Sequence, residues 1–202
     1  MEHSLALFIF TLTATITPGP NNIMIMTSGL NFGIKKSLPH LFGICLGFPL
    51  MVVLVGLGFS VVFEQYPLFH QVIKILGILY LLYLSWRIAT SPINELDQGK
   101  AKPLSFIQAA AFQWVNPKAW VMASGAVAAF TSATSDMTWQ VLYIALSFLL
   151  VAFPSVGMWL VFGQSLKRLL RNPLHQRLFN ISMAILLVLS MVPVIREVLT
   201  ST

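Results

Sequence analysis

Six apolar stretches follow one another along this chain with only short polar connectors between them. They lie at roughly residues 4–28, 38–63, 69–90, 106–130, 139–165 and 178–199. Each approaches or exceeds the roughly 20 residues that a helix needs to cross a hydrocarbon core about 30 Å thick. Lipid offers no partner for backbone N–H and C=O groups, so segments of this kind span as helices. The fold class that follows is an all-α polytopic membrane protein with six transmembrane helices. Residues 1–202 then form a single transmembrane domain and leave no room for a soluble one. Composition agrees: 57% of residues are hydrophobic and 9% charged, against roughly 25% charged in a soluble domain.

The net charge is +6, yet the basic residues form no continuous face for nucleic acid. They cluster in alternate connectors. The first, third and fifth connectors hold Lys35, Lys36, Arg87 (at the span boundary), Lys100, Lys102, Lys167, Arg168, Arg171 and Arg177, with Lys74 and Arg196 elsewhere. The excess of Lys and Arg in cytoplasmic loops then places those connectors inside and both termini on the non-cytoplasmic side. Trp86, Trp139, Tyr66 and Tyr83 near span ends suit an interface. The lone Cys45 rules out a disulfide or redox pair within one chain. Residues 1–10 hold Glu2 and no Lys or Arg, so a removable signal peptide is not expected.

Small residues mark where helices meet. Gly29 with Gly33, and Gly43 with Gly47, have the spacing that lets backbones approach closely. Packing within one chain is the preferred reading, and a homodimer is the other use of such spacing. The stretch Ser124-Gly125-Ala126 with Ala128-Ala129 does the same for span four. The basic stretch 164–178 reads as a solvated topology signal, an amphipathic turn or two on the inner leaflet. His40 and His175 read as interfacial and His3 and His70 as lying at the outer face. No histidine has a second ligand at metal spacing, so neither a metal nor a cofactor is expected.

Two spans are interrupted. Span one is broken at Thr17-Pro18-Gly19-Pro20-Asn21-Asn22 and span four at Gln113-Trp114-Val115-Asn116-Pro117-Lys118. Both breaks fall near mid-depth, and both spans open a half of three spans (1–90 and 106–202, joined by a cytoplasmic connector at 91–105). Three spans per half means that the halves run in opposite directions. Inverted repeats with matching broken helices point to a transporter site.

The prolines supply the chemistry. Pro18 and Pro20 cannot bond the carbonyls of Ala14 and Ile16, nor Pro117 that of Gln113. Thr17 before Pro18 and Asn116 before Pro117 read as caps of new half-helices, whose N-termini would suit a carboxylate. The freed carbonyls, with Asn21, Asn22 and Asn116, would suit an ammonium. A zwitterionic amino acid offers both groups. Lys118, the one charge deep inside a span, is a candidate for binding the substrate carboxylate, for carrying the coupled proton, or for both. The plainer reading is that it reaches the cytoplasmic interface.

These residues resemble the lysine exporter and homoserine/threonine-resistance (LysE/RhtB) family of amino-acid exporters. The likeness rests on Thr17-Pro18-Gly19-Pro20-Asn21, Gly43 to Gly47, Gly56-Leu57-Gly58, Gly77, Tyr80-Leu81-Leu82-Tyr83-Leu84 with Trp86, and Asn116-Pro117-Lys118-Ala119. The opening and Trp86-Arg87-Ile88-Ala89-Thr90-Ser91-Pro92 look most like its cysteine/O-acetylserine exporter branch. The resemblance implies proton-driven efflux of small neutral amino acids (cysteine, O-acetylserine, homoserine or threonine) across a bacterial inner membrane. Its departures, Ile78 after Gly77 and Ser85 where glycine is common, avoid the breaks. An intramembrane enzyme is not expected, since no carboxylate lies deep inside a span, Glu197 standing at the very end of the sixth, and a thiol–disulfide carrier would need two cysteines. Exporters of other small solutes, or a channel of similar architecture, remain as alternatives.

Overall fold

The computed structural model describes residues 2–59, 65, 67–91, 102–132, 136–170, 172–192, 195 and 196. Among them every regular element is helical: α1 (Glu2–Ile16), α2 (Pro20–Leu54, continued by a π turn over Val55–Phe59), α3 (Pro67–Ala89), α4 (Phe106–Phe112, continued by a 3₁₀ turn over Gln113–Val115), α5 (Pro117–Phe130), α6 (Met137–Leu169) and α7 (Pro173–Leu189). Pro20–Gly58 and Met137–Lys167 are long and apolar enough to cross a membrane, and Ser4–Ile16, Ile75–Ala89 and Pro173–Leu189 are shorter apolar helices.

The longest element is two rods. Gly33 adopts φ 78° and ψ 171° in the middle of α2, a backbone that L side chains rarely adopt and glycine takes without cost. In a straight helix Ser28 and His40 would stand about 18 Å apart. Here His40 Nδ1 lies 3.3 Å from Ser28 Oγ. The chain therefore doubles back, and the Pro20–Phe32 arm packs beside the Ile34–Leu54 arm. Gly33 belongs to a turn and not to a packing stripe, which corrects the first glycine pair.

The other glycines set the helix spacing. A Cβ on Gly29 would collide with the Leu160 carbonyl, and one on Gly163 with the Met26 carbonyl. The first arm of α2 thus lies backbone to backbone on α6, and the two arms together make with α6 the most extensive helix contact among the described residues. A Cβ on Gly43 would stand 2.6 Å from Ala109 Cβ, and one on Gly47 2.7 Å from Ala110 Cα. That pair seats α4 on the second arm of α2, the intramolecular packing expected. Gly125 meets nothing within 4 Å and is exposed, so the small-residue run of α5 is only partly a packing face.

The core divides into two clusters. One gathers Met24, Ile25, Leu41, Ile44, Leu84, Phe112 and Leu160, and Cys45 is buried in it. The other gathers Leu7, Phe48, Met51, Ala119, Ala123 and Phe148. The change of cluster falls between Leu7 and Met24, between Ile44 and Phe48, and between Phe112 and Ala119. Both breaks lie within these intervals of the chain. Outside, Ile107 is 75%, Val121 72% and Leu150 67% exposed, an apolar exterior suited to lipid.

Two expectations need correction. His40 is fully buried between the arms of α2 and is not interfacial, while His175 is exposed. The basic stretch is mostly the ends of α6 and α7, and Arg177 donates to the Ala89 carbonyl at 2.8 Å rather than standing in solvent alone. Asp136 caps α6, accepting from the Trp139 N–H at 3.1 Å. Trp86, Trp139 and Tyr83 are exposed as interfacial aromatics are. Tyr66 and the connector from 92 to 101 lie outside the described residues, as do the side chains of His3 and His70.

Candidate functional site

The fold brings the two breaks together. Asn21 Nδ2 donates to Gln113 Oε1 at 2.8 Å, and Gln113 Nε2 donates back to Asn21 Oδ1 at 3.2 Å. Lys118 Nζ donates to the Thr17 carbonyl and to Thr17 Oγ1, each at 2.8 Å, with the Pro18 carbonyl at 3.4 Å. Residues about a hundred positions apart thus share one set of hydrogen bonds. The ammonium crosses to the first break, where Thr17 and Pro18 accept from it.

Each freed carbonyl has found a partner, as lipid demands. In the first break, Ala14 O accepts from Thr17 Oγ1 at 3.1 Å and Ile16 O from the Trp159 indole at 3.0 Å. Asn22 Nδ2 spans the gap, donating to the carbonyls of Thr15 at 2.8 Å and Thr17 at 2.9 Å. Asn22 is therefore a clamp on its own break. In the second break, Gln113 O accepts from the Asn116 N–H at 3.3 Å, and Trp114 O from the Trp120 indole at 2.8 Å.

The caps differ from the sequence expectation on one side. Asn116 does cap α5, its side chain accepting from the Lys118 N–H at 3.1 Å with Pro117 in the first turn. Thr17 caps nothing. The second half-helix starts later, at Pro20, and Gly19 in the N-cap position has no side chain to offer. A Cβ on Gly19 would stand 2.7 Å from Lys118 Cδ and 3.1 Å from its Nζ. The missing side chain is what lets the lysine through, while Pro18 lies exposed at the rim.

The breaks enclose a cavity of about 40 Å³ bordered by Thr15, Gly19, Asn21, Asn22, Asn116 and Lys118. That is close to the share of one water in the liquid, about 30 Å³, and too small for an amino acid. Sequence reasoning missed Trp159, and it missed Thr15 and Ser155, whose hydroxyls meet at 3.2 Å and tie α1 to α6. Gly77, named above only for the family likeness, lets α3 approach the second break, since a Cβ there would come 2.5 Å from the Val115 carbonyl. Span five carries no break, so nothing local marked Trp159 or Ser155.

Residues 12–196 match the profile of the LysE type translocator family. The chain belongs to that family. It is 35% identical to the cysteine/O-acetylserine efflux protein of Escherichia coli (strain K12) over 185 residues, which cover 91% of this chain and 92% of the relative. The proteins of the same name from Shigella sonnei and Shigella flexneri give the same identity and coverage. No solved structure matches the chain. The all-helical fold with its apolar exterior is thus that of a membrane translocator, and members of such a family are transporters, not enzymes.

Proposed function

We propose that the protein is a secondary active exporter of small neutral amino acids or their derivatives, of the cysteine, O-acetylserine, homoserine and threonine class. It works by proton antiport from a site at the two breaks, formed by Thr17, Pro18, Gly19, Pro20, Asn21, Asn22, Gln113, Asn116, Pro117 and Lys118. The observation that carries the reading is the Lys118 ammonium held on the Thr17 carbonyl and hydroxyl. A substrate ammonium offers the same three N–H donors, so substrate and Lys118 compete for the same acceptors. Mutual exclusion is what antiport requires. Lys118 carries the proton on one leg of the cycle and stands aside for substrate on the other. The uncapped start of α2 is then the place for the substrate carboxylate.

The architecture we infer is six spans in two inverted three-helix repeats, 1–90 and 106–202. The inference is supported by the broken first helix of each half and by the pairing of α3 with α7, the last helices of the two halves. The protein sits in the bacterial inner membrane with both termini on the non-cytoplasmic side. Because the cavity at the breaks is closed, transport needs the half-helices to part.

A growth-resistance screen against single amino acids tests the function, in cells carrying the intact protein or Lys118→Met. Resistance to one or a few small neutral amino acids, lost in the variant, is expected. Resistance to none would sink the reading.

A further inference from the structure

One turn away from the breaks lies a cavity of about 420 Å³, within the range of small-molecule sites and about ten times the volume at the breaks. The two are neighbours on both arms of α2. Met24 borders the larger and Asn21 the smaller, and His40 borders the larger and Ile44 the smaller. Steps of three and four residues along a helix are about 5–6 Å.

The larger cavity has polar groups whose capacity the fold does not use. His40 lines it and is 1% exposed. Its Nδ1 lies 3.3 Å from Ser28 Oγ, while its Nε2 has no hydrogen-bond partner among the described residues. With Nδ1 donating to Ser28, Nε2 is a buried acceptor without a donor, a costly condition for a group that serves no ligand. Arg87 also lines the cavity, from the last turn of α3. Its guanidinium donates to the Lys102 carbonyl at 3.2 Å and lies 5.9 Å from the Tyr83 ring centroid. Among the described residues no carboxylate pairs with it, so most of its five N–H donors remain for an anion. Asn31, by contrast, is spent on Asn180 and Gln176.

We infer that this cavity is a loading site, separate from the breaks, where a small amino acid binds before the breaks open. Arg87 takes its carboxylate, and His40 Nε2 with Ser28 Oγ takes its ammonium. The inference rests on the exporter reading. It explains how substrate can be held while the breaks have room for about one water: binding and translocation use successive compartments of one path.

The test uses the full-length protein in proteoliposomes with O-acetylserine as probe, measuring flux against its concentration on the side of the basic connectors. Arg87→Gln and His40→Gln should each raise the half-saturating concentration about tenfold with the maximal rate unchanged, and Arg87→Lys should raise it less. Unchanged half-saturation in both Gln variants overturns the loading site and leaves the exporter reading standing. No transport of amino acids by the unaltered protein overturns both. Should Arg87→Gln fail to insert, Thr90→Trp, at an exposed position on the cavity lining, is expected to raise half-saturation by obstruction. An unchanged value there overturns the loading site equally.

Discussion

The two breaks occupy matching places in the chain, yet they are held in different ways. The second is closed from within its own segment: Asn116 caps α5, the Asn116 N–H bonds Gln113, and Trp120 reaches back to Trp114. The first has no cap of its own. Besides Asn22 and Thr17 it depends on Trp159 from α6 and on Lys118 from α5. The second break is a rigid platform that projects a lysine, and the first is a set of carbonyls completed by whatever donor is present. A donor from a neighbouring helix can be exchanged for one from a ligand. In the mechanism we propose, that difference gives ligand exchange to the first break and its control to the second.

A wedge between the breaks should have the largest effect. Gly19→Val places branched carbon where Lys118 passes, and we expect export to fall on the order of a hundredfold, as misplacement of about 1 Å can cause. Gly19→Ala should give a smaller loss of the same kind, because only the flexible lysine has to move. Flux assays normalised to membrane content measure both. Wild-type rates in Gly19→Val would break the comparison, since the first break would then need no contact with Lys118.

Stability separates the breaks next. Trp159→Phe leaves the Ile16 carbonyl without its donor and should cost about 1–3 kcal/mol, read as a lower thermal midpoint in detergent. Trp120→Phe frees the Trp114 carbonyl at comparable cost. Only Trp159→Phe should also alter substrate affinity, because its break is the one exposed to exchange. Equal transport defects in the two variants would erase the distinction.

The smallest effects belong to the amides. Interhelical hydrogen bonds in membranes average about 0.6 kcal/mol, so Asn21→Ala, which removes the reciprocal pair with Gln113, should raise half-saturation severalfold. Asn116→Ala loses a cap worth about 1 kcal/mol and should raise it to a similar extent, because Asn116, unlike Trp120, borders the space between the breaks. If both leave the half-saturating concentration unchanged, the site has been assigned to the wrong level of the molecule.

Much of this arrangement was legible in the sequence, for physical reasons. Proline removes a backbone donor wherever it stands, so Pro18, Pro20 and Pro117 announced both breaks before any contact was known. Lipid penalises charge, so Lys118 stood out among apolar neighbours. Asn116-Pro117 gave the true cap because the cap motif is local. Thr17 misled because Pro20, two residues beyond Pro18, is as good a first-turn residue, and only the folded chain decides between them. His40 looked interfacial because a polar residue a few positions into a span usually is. The turn at Gly33, which buries it against Ser28, depends on a single dihedral angle. Trp159 and Ser155 serve the first break from a helix that is distant in sequence, and pairings of that kind leave no local trace.

The central claim is that Lys118 and substrate exclude one another at the Thr17 carbonyl. Its most direct measurement is O-acetylserine flux driven by an imposed pH gradient, in proteoliposomes containing the intact protein or Lys118→Met. The account predicts gradient-driven accumulation with the intact protein and none with the variant, although the variant is folded and inserted. Gradient-driven accumulation by Lys118→Met at the wild-type rate would contradict it.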